Sequence, residues 1–229
     1  MSISDIIKSV ATDTDIERLK RLPCAEDFYG MLLRMIPLEQ DAEFTFADLG
    51  SADGFVSALI LENYPNSTAT LIDVDEERLN KSEARFSDQA DRVNLLHADF
   101  ARSDPPDKYG LVVTTHAIHH LTDIEKRALY RTLYSRLHPG GAILNGDRVL
   151  QPTDLLREEY RENWANECRA AGADEDAISK SLDRMWDDHD AEIEDQIEWI
   201  RNAGFRNVDI YYKYQMYAVF GGRRPDFTL

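Results

Sequence analysis

The sequence is short of cysteine, of glycine and proline, of long apolar runs and of positive charge, and each shortage excludes something. Cys24 and Cys168 are the two cysteines in 229 residues and stand far apart. They form neither a disulfide framework nor a metal-binding pair. Glycine and proline number 11 and 8, too few for a collagenous or low-complexity chain. No stretch reaches the roughly 18–20 uninterrupted apolar residues of a membrane span. The first residues, Met1 to Ile6, offer neither a basic nor an apolar leader segment, so no signal peptide and a cytoplasmic location are expected. Lys and Arg total 26 against 43 Asp and Glu, a net charge of −17. So negative a surface repels phosphate backbones and anionic lipid, which makes nucleic acid and membrane poor partners. The surplus is uneven: from Gln151 to Ile200, 16 acids face five bases.

What is present is a globular composition, 43% hydrophobic and 30% charged, with a repeating order of elements. Phe44–Leu49, Ala69–Val74, Val93–Leu96, Leu111–Thr115 and a run starting at Ala142 read as strands, rich in β-branched and apolar residues. Helical patterns separate them. Asp75 suits an N-cap, and Thr122-Asp123-Ile124-Glu125 a capping box, because hydroxyl and carboxylate satisfy opposite orphan amides. Leu129, Leu133 and Leu137 form a core-facing stripe that Pro139-Gly140-Gly141 ends. Strand and helix in alternation predict an α/β, Rossmann-like sheet with helices on both faces. One domain is expected over residues 1–229, with a helical cap at 1–40 (apolar Ile16, Leu19, Leu22, Phe28, Leu32, Leu33 and Ile36) and a core at 41–150. A helical lid follows at 151–190, one acidic pattern from Leu155 to Asp188. Residues 191–229 supply a helix on Ile193, Ile197 and Ile200, then final strands within Tyr211–Phe220.

In such a sheet, ligands bind at the carboxyl ends of the strands. The first strand runs into Asp48-Leu49-Gly50-Ser51-Ala52-Asp53-Gly54, whose small residues permit a tight turn and close backbone approach. A dinucleotide glycine pattern is broken at Ala52 and Phe55, and the Gly-Lys-Ser/Thr of a P-loop is absent. Asp73, 23 residues beyond Gly50, can accept hydrogen bonds from a ribose diol, and Asp99-Phe100 sets an acceptor beside an aromatic face, as an adenine site needs.

Together with Ala117-Ile118-His119-His120-Leu121 and Leu137-His138-Pro139-Gly140-Gly141, these motifs resemble, in order, those of the class I S-adenosylmethionine-dependent methyltransferases. Phe28-Tyr29-Gly30 and Ala203-Gly204-Phe205 resemble that superfamily's small-molecule branch. The resemblance implies a seven-stranded sheet with its last strand antiparallel, and S-adenosylmethionine as cofactor, with S-adenosylhomocysteine as product. It implies that Gly50, Ser51, Ala52 and Gly54 line the methionine and ribose, with Asp48 near the amino group. Asp73 and Val74 would serve the ribose side, Asp99 and Phe100 the adenine, and Thr115 with His116 the sulfonium. The family's middle glycine is Ala52 here, which adds a methyl where the backbone approaches the cofactor.

A methyl acceptor that must lose a proton benefits from a base with a pKa near 7. Ile118-His119-His120-Leu121 resembles the Leu-His-Asp-Trp stretch in which O-methyltransferases keep a catalytic histidine, so His119 and His120 are the expected catalytic pair. His116, His119 and His120 share helical spacing, and Asp147 lies within reach in sequence order, but no cysteine or well-spaced carboxylate completes a ligand set, so no metal is expected. Tyr29, Tyr160 and Trp164 are the expected substrate contacts, with Trp186, Tyr211 and Tyr212 as further candidate pocket walls. The expected activity is methyl transfer to a small-molecule acceptor by a chain that could pair as a homodimer. The alternatives are a catalytically silent cofactor binder and a tRNA-modifying enzyme, which the charge disfavours.

Overall fold

The computed structural model describes residues 2–185 and 187–226. Three helices open the chain: α1 (Ile3–Val10), α2 (Asp13–Leu19) and α3 (Ala25–Arg34). The alternating core follows as β1 (Phe44–Leu49), α4 (Phe55–Asn63), β2 (Ser67–Asp73), α5 (Glu76–Arg85), β3 (Val93–His97), β4 (Tyr109–Thr115), α6 (Asp123–Arg136) and β5 (Leu137–Arg148). The remaining elements are α7 (Asp154–Ala170), α8 (Glu175–Arg184), α9 (Ile193–Asn202), β6 (Arg206–Tyr214) and β7 (Tyr217–Arg223).

The strands form one seven-stranded sheet in the order β3-β2-β1-β4-β5-β7-β6. The first five run parallel, and β7 lies antiparallel to both β5 and β6, as the sequence leads one to expect. Side chains alternate between two cores because successive strand residues face opposite ways. Phe46, Leu111, Val113 and Leu144 join α3 and α4 on one face; Ala47, Leu49, Val112 and Ile143 join α6 and α9 on the other. Burial on both faces is what a parallel sheet requires. Chain order reverses between β1 and β4, which opens a crevice at the carboxyl ends of these strands.

The local signals at Asp75 and Thr122 are realised: Asp75 accepts from the Arg78 amide, and Thr122 with Glu125 closes the capping box. Two expectations need correction. Leu137 is not helical; α6 ends at Arg136 because Leu137 already pairs with Tyr109. The acidic helix is two helices, α7 and α8, divided by Gly172 with φ +77°. Ile16 is 49% exposed and no part of the core. Trp186 lies outside the described residues. Among the described residues no helix is long and apolar enough to cross a membrane.

Leu133 is fully buried among α6, α9 and the sheet, so Leu133→Ala is expected to lower the unfolding free energy by about 2–5 kcal/mol. Ile16→Ala is expected to change it by less than about 0.5 kcal/mol. Urea denaturation of both variants checks the contrast, and equal losses would contradict it.

Candidate active site

The turn after β1 holds three left-handed residues, Gly50 (φ +68°), Ala52 (φ +51°) and Gly54 (φ +82°). A side chain at Gly50 would stand 2.4 Å from the Ala117 Cβ and 3.5 Å from the Phe100 ring, so three motifs distant in sequence converge at that position. The amides of Gly50 and Ser51 donate to the Ile72 carbonyl (2.8 and 3.2 Å). Asp73 Oδ2 accepts from the Ala52 amide at 2.7 Å, and its Oδ1 from the Asp75 amide at 2.9 Å. The Ser82 hydroxyl donates to the Ala52 carbonyl at 3.0 Å. Both peptide groups of Ala52 are thereby held, which fixes a conformation that costs a non-glycine residue roughly 1–2 kcal/mol. The Ser51 hydroxyl is buried with no hydrogen-bond partner among the described residues.

Asp48 lies behind this turn, 1% exposed, and accepts from the Ser57 hydroxyl at 2.7 Å. Burial pushes its carboxyl up to about 7. Tyr29 is buried edge-on to Phe55 at 5.3 Å, against the start of α4 and not in an open acceptor cavity. Above the turn, Arg18 of α2 grips Asp53 with two nitrogens (2.9 and 2.6 Å). Arg85 holds Asp15, the capping carboxylate of α2, at 2.6 Å and the Val10 carbonyl at 3.1 Å. Sequence carries no signal for these two pairings; only the capping box of Thr12 and Asp15 is legible there.

At the end of β4, Thr115 is partly buried and His116 adopts φ +51°. The His116 ring stacks on Phe28 (5.2 Å, 13°) and meets Tyr217 edge-on at 5.8 Å. Burial takes its pKa down to about 4, so the ring is neutral at physiological pH. Val74 is 64% exposed beyond β2. Asp99 turns back on its own loop, accepting from the Ala101 amide at 2.9 Å and pairing with Arg102 at 3.3 Å.

His119 and His120 follow in a short 3-10 turn, Ile118–His120. His119 is 6% exposed. Its Nδ1 lies 2.5 Å from Asp147 Oδ1, its amide donates to Asp147 Oδ2 at 3.0 Å, and its Nε2 lies 3.7 Å from Asp188 Oδ2. Burial opposes charge on this imidazole, and the Asp147 carboxylate outweighs it, so the pKa is raised above the usual histidine value. Burial would likewise raise the Asp147 carboxyl, but the facing imidazole holds it at about 2. His120 is largely exposed, with Nδ1 2.7 Å from Asp188 Oδ1. Arg148 donates to Asp188 (2.6 Å) and Asp190 (3.1 Å). Asp188 is inconspicuous in sequence, one carboxylate in the run Asp187-Asp188-His189-Asp190. Trp164 is buried, donating its indole N–H to the Arg21 carbonyl at 2.9 Å, and Tyr160 packs beneath the Lys213 ammonium at 5.8 Å. Both have scaffold partners.

Residues 46–141 match the model of a family described as "Methyltransferase domain". The match, the relatives and the fold support a methyltransferase of the class I S-adenosylmethionine-dependent kind. It is 23% identical, over 83% of its own length and 73% of the relative's, to a carboxy-S-adenosyl-L-methionine synthase of Chromohalobacter salexigens. It is 32% identical to the trans-aconitate 2-methyltransferase of Rhizobium meliloti, over 52% of this chain and 44% of that one. Human N-acetylserotonin methyltransferase, solved with S-adenosylmethionine, shares the fold at a TM-score of 0.61 and 18% identity, covering 93% of this chain and 57% of that one. The chain thus spans about half the length of the latter two.

The cofactor of this methyltransferase superfamily fits the crevice. An orphaned Ser51 hydroxyl, a Gly50 backbone bare of any side chain, the Asp73 carboxylate and the exposed Val74 side chain all lie at the carboxyl ends of β1 and β2. Ala52→Gly removes the left-handed strain in the turn and is expected to stabilise the protein by about 1 kcal/mol, a rise of roughly 2–4 °C in Tm. Thermal denaturation reads it directly; an unchanged or lower Tm would contradict the strain.

Proposed function

We propose that this methyltransferase transfers a methyl group by in-line displacement to a small acceptor, with His119 as general base oriented by Asp147. The observation that carries this reading is the buried His119–Asp147 pair at the carboxyl ends of β4 and β5, on the same sheet edge as the turn that fits the cofactor. When bound, S-adenosylmethionine supplies a methyl group already activated on sulfur. Asp73 takes the ribose hydroxyls, Ser51 and the Gly50–Gly54 turn the methionine end, and Asp48 the ammonium. Val74 borders the ribose side, and Asp99 and Phe100 border the adenine.

Thr115 and His116 serve the sulfonium end. A neutral His116 adds no positive charge against a sulfonium, and the Phe28 and Tyr217 rings beside it favour a cation. The Arg18–Asp53 fork holds α2 against the turn, which helps to keep water out. Asp147 fixes the proton on His119 Nδ1, so the lone pair resides on Nε2 and can accept the acceptor's proton. A small acceptor is in keeping with the relatives whose names specify trans-aconitate and N-acetylserotonin.

The longer likeness to a carboxy-S-adenosyl-L-methionine synthase supports a second reading, in which the cofactor itself is carboxylated. Such chemistry handles an extra carboxylate and calls for a cation. Arg18 beside the crevice and Arg148 beside the His119 cluster are each engaged by carboxylates already, which favours methyl transfer. Mass analysis of cofactor incubated with the protein separates the two.

Calorimetry with S-adenosylhomocysteine is expected to show micromolar binding in the wild type and a loss of at least tenfold in Asp73→Ala, since a hydrogen bond to a charged group contributes roughly 1.5–3 kcal/mol. No binding to the wild type would overturn the reading, whereas binding without turnover on any acceptor would favour a silent binder. The raised pKa of His119 keeps it protonated at and below the usual histidine value, so the rate should climb as pH rises through that raised pKa. Asp147→Asn removes the carboxylate that raises it, so the climb should move to lower pH while the maximal rate falls. A pH–rate profile unmoved by Asp147→Asn would exclude His119 as the base.

A further inference from the structure

We propose that His119, His120 and Asp188 form a binding site for a divalent cation of the zinc type. Their donor atoms lie within 4.8 Å of one another. His120 Nδ1 and Asp188 Oδ1 are 2.7 Å apart and share a proton that a metal ion can replace. His119 Nε2 and Asp188 Oδ2 are 3.7 Å apart, too far for a hydrogen bond. The Asp188 carboxylate thus lies between the two imidazoles, one oxygen towards each. Two imidazoles and one carboxylate suit zinc better than the hard cations, which select oxygen.

The surroundings add a second, independent observation. Asp147 accepts the hydrogen bond of His119 Nδ1–H and leaves Nε2 facing Asp188, the carboxylate–histidine arrangement that orients a metal ligand. Arg148 holds Asp188 Oδ2 at 2.6 Å, which leaves Oδ1 for the ion. The carboxylates in and around the cluster are Asp123, Asp147, Asp188 and Asp190, against the cations Arg148 and Lys126. Four negative and two positive groups leave a surplus that matches a dication. A surface hollow of about 490 Å³ lined by Thr122, Asp123, Ile124, Asp188, His189 and Asp190 adjoins the Asp188 carboxylate, from which water would complete the coordination. Three protein ligands and one open position are the pattern of a site that exchanges water or ligand. Bound metal would occupy the Nε2 lone pair assigned above to proton transfer, so zinc and methyl transfer should be antagonistic.

The test is calorimetry with zinc chloride on tag-free protein at pH 7.5, with cobalt(II) absorption as an optical check of ligand geometry. The expected result is one saturable site per chain with micromolar affinity, a visible cobalt band of tetrahedral intensity, and at least a tenfold weakening in His120→Ala. His120 is largely exposed, so this variant should keep its thermal midpoint and its S-adenosylhomocysteine affinity. Asp147→Asn should weaken zinc by about 10–100-fold without removing a ligand. Absence of saturable binding at millimolar zinc, or equal binding by His120→Ala and wild type, would overturn the proposal. Neither readout requires methyl transfer, so the metal site and the enzymatic reading stand or fall separately.

Discussion

The carboxylate of Asp73 anchors the crevice. It ends β2, receives the Ala52 amide, and so ties the turn after β1 to the neighbouring strand. The left-handed residues at 50, 52 and 54 hold the turn open at the place where strand order reverses. Without that tie, an alanine in a left-handed conformation would relax, and the buried Ser51 hydroxyl would lose its alignment. The N-terminal helices depend on the same loop, because the Arg18 fork closes on Asp53, one residue beyond Ala52. Cap, turn and sheet edge therefore form one connected unit.

Charge is organised on a second principle. The chain is strongly acidic overall, with a net charge of −17, yet the guanidiniums of Arg18, Arg85 and Arg148 are each placed against carboxylates. Arg18 is partly exposed, whereas Arg85 and Arg148 are buried, and for these two the carboxylate partners offset part of the cost of desolvation. The histidines divide in the same way. His116, with aromatic neighbours, stays neutral, whereas His119, with carboxylates facing both nitrogens, is held towards its charged form. Two imidazoles three residues apart are thus suited to opposite tasks by their surroundings alone.

Much of the fold is legible in the sequence because its signals are local. Strand composition, the Asp75 cap and the Thr122 box each depend on a few adjacent residues. Leu137 misleads because it continues the helical stripe of Leu129 and Leu133 while its backbone already belongs to β5. The break at Gly172 is masked by acidic, helix-favouring sequence on either side. In the site, Gly50, Ala52 and Asp73 are readable from motif order. Asp53, Asp147 and Asp188 gain their roles from partners 28 to 69 residues away in the chain: Arg18 for Asp53 at 35, His119 for Asp147 at 28 and for Asp188 at 188 − 119 = 69. Pattern within a window has no access to such pairings. Tyr29, Tyr160 and Trp164 are conspicuous as aromatics in the sequence, whereas their partners, Phe55, Lys213 and the Arg21 carbonyl, emerge only from the fold.

The most direct test of the central claim, that the carboxyl edge of β1, β2 and β4 is the cofactor site, is a crystal structure of the protein with S-adenosylhomocysteine. The account predicts the ribose on Asp73, the adenine against Phe100 and the sulfur beside Thr115 and His116. Ligand density elsewhere on the sheet, or a ribose that leaves Asp73 engaged by backbone amides alone, would contradict it.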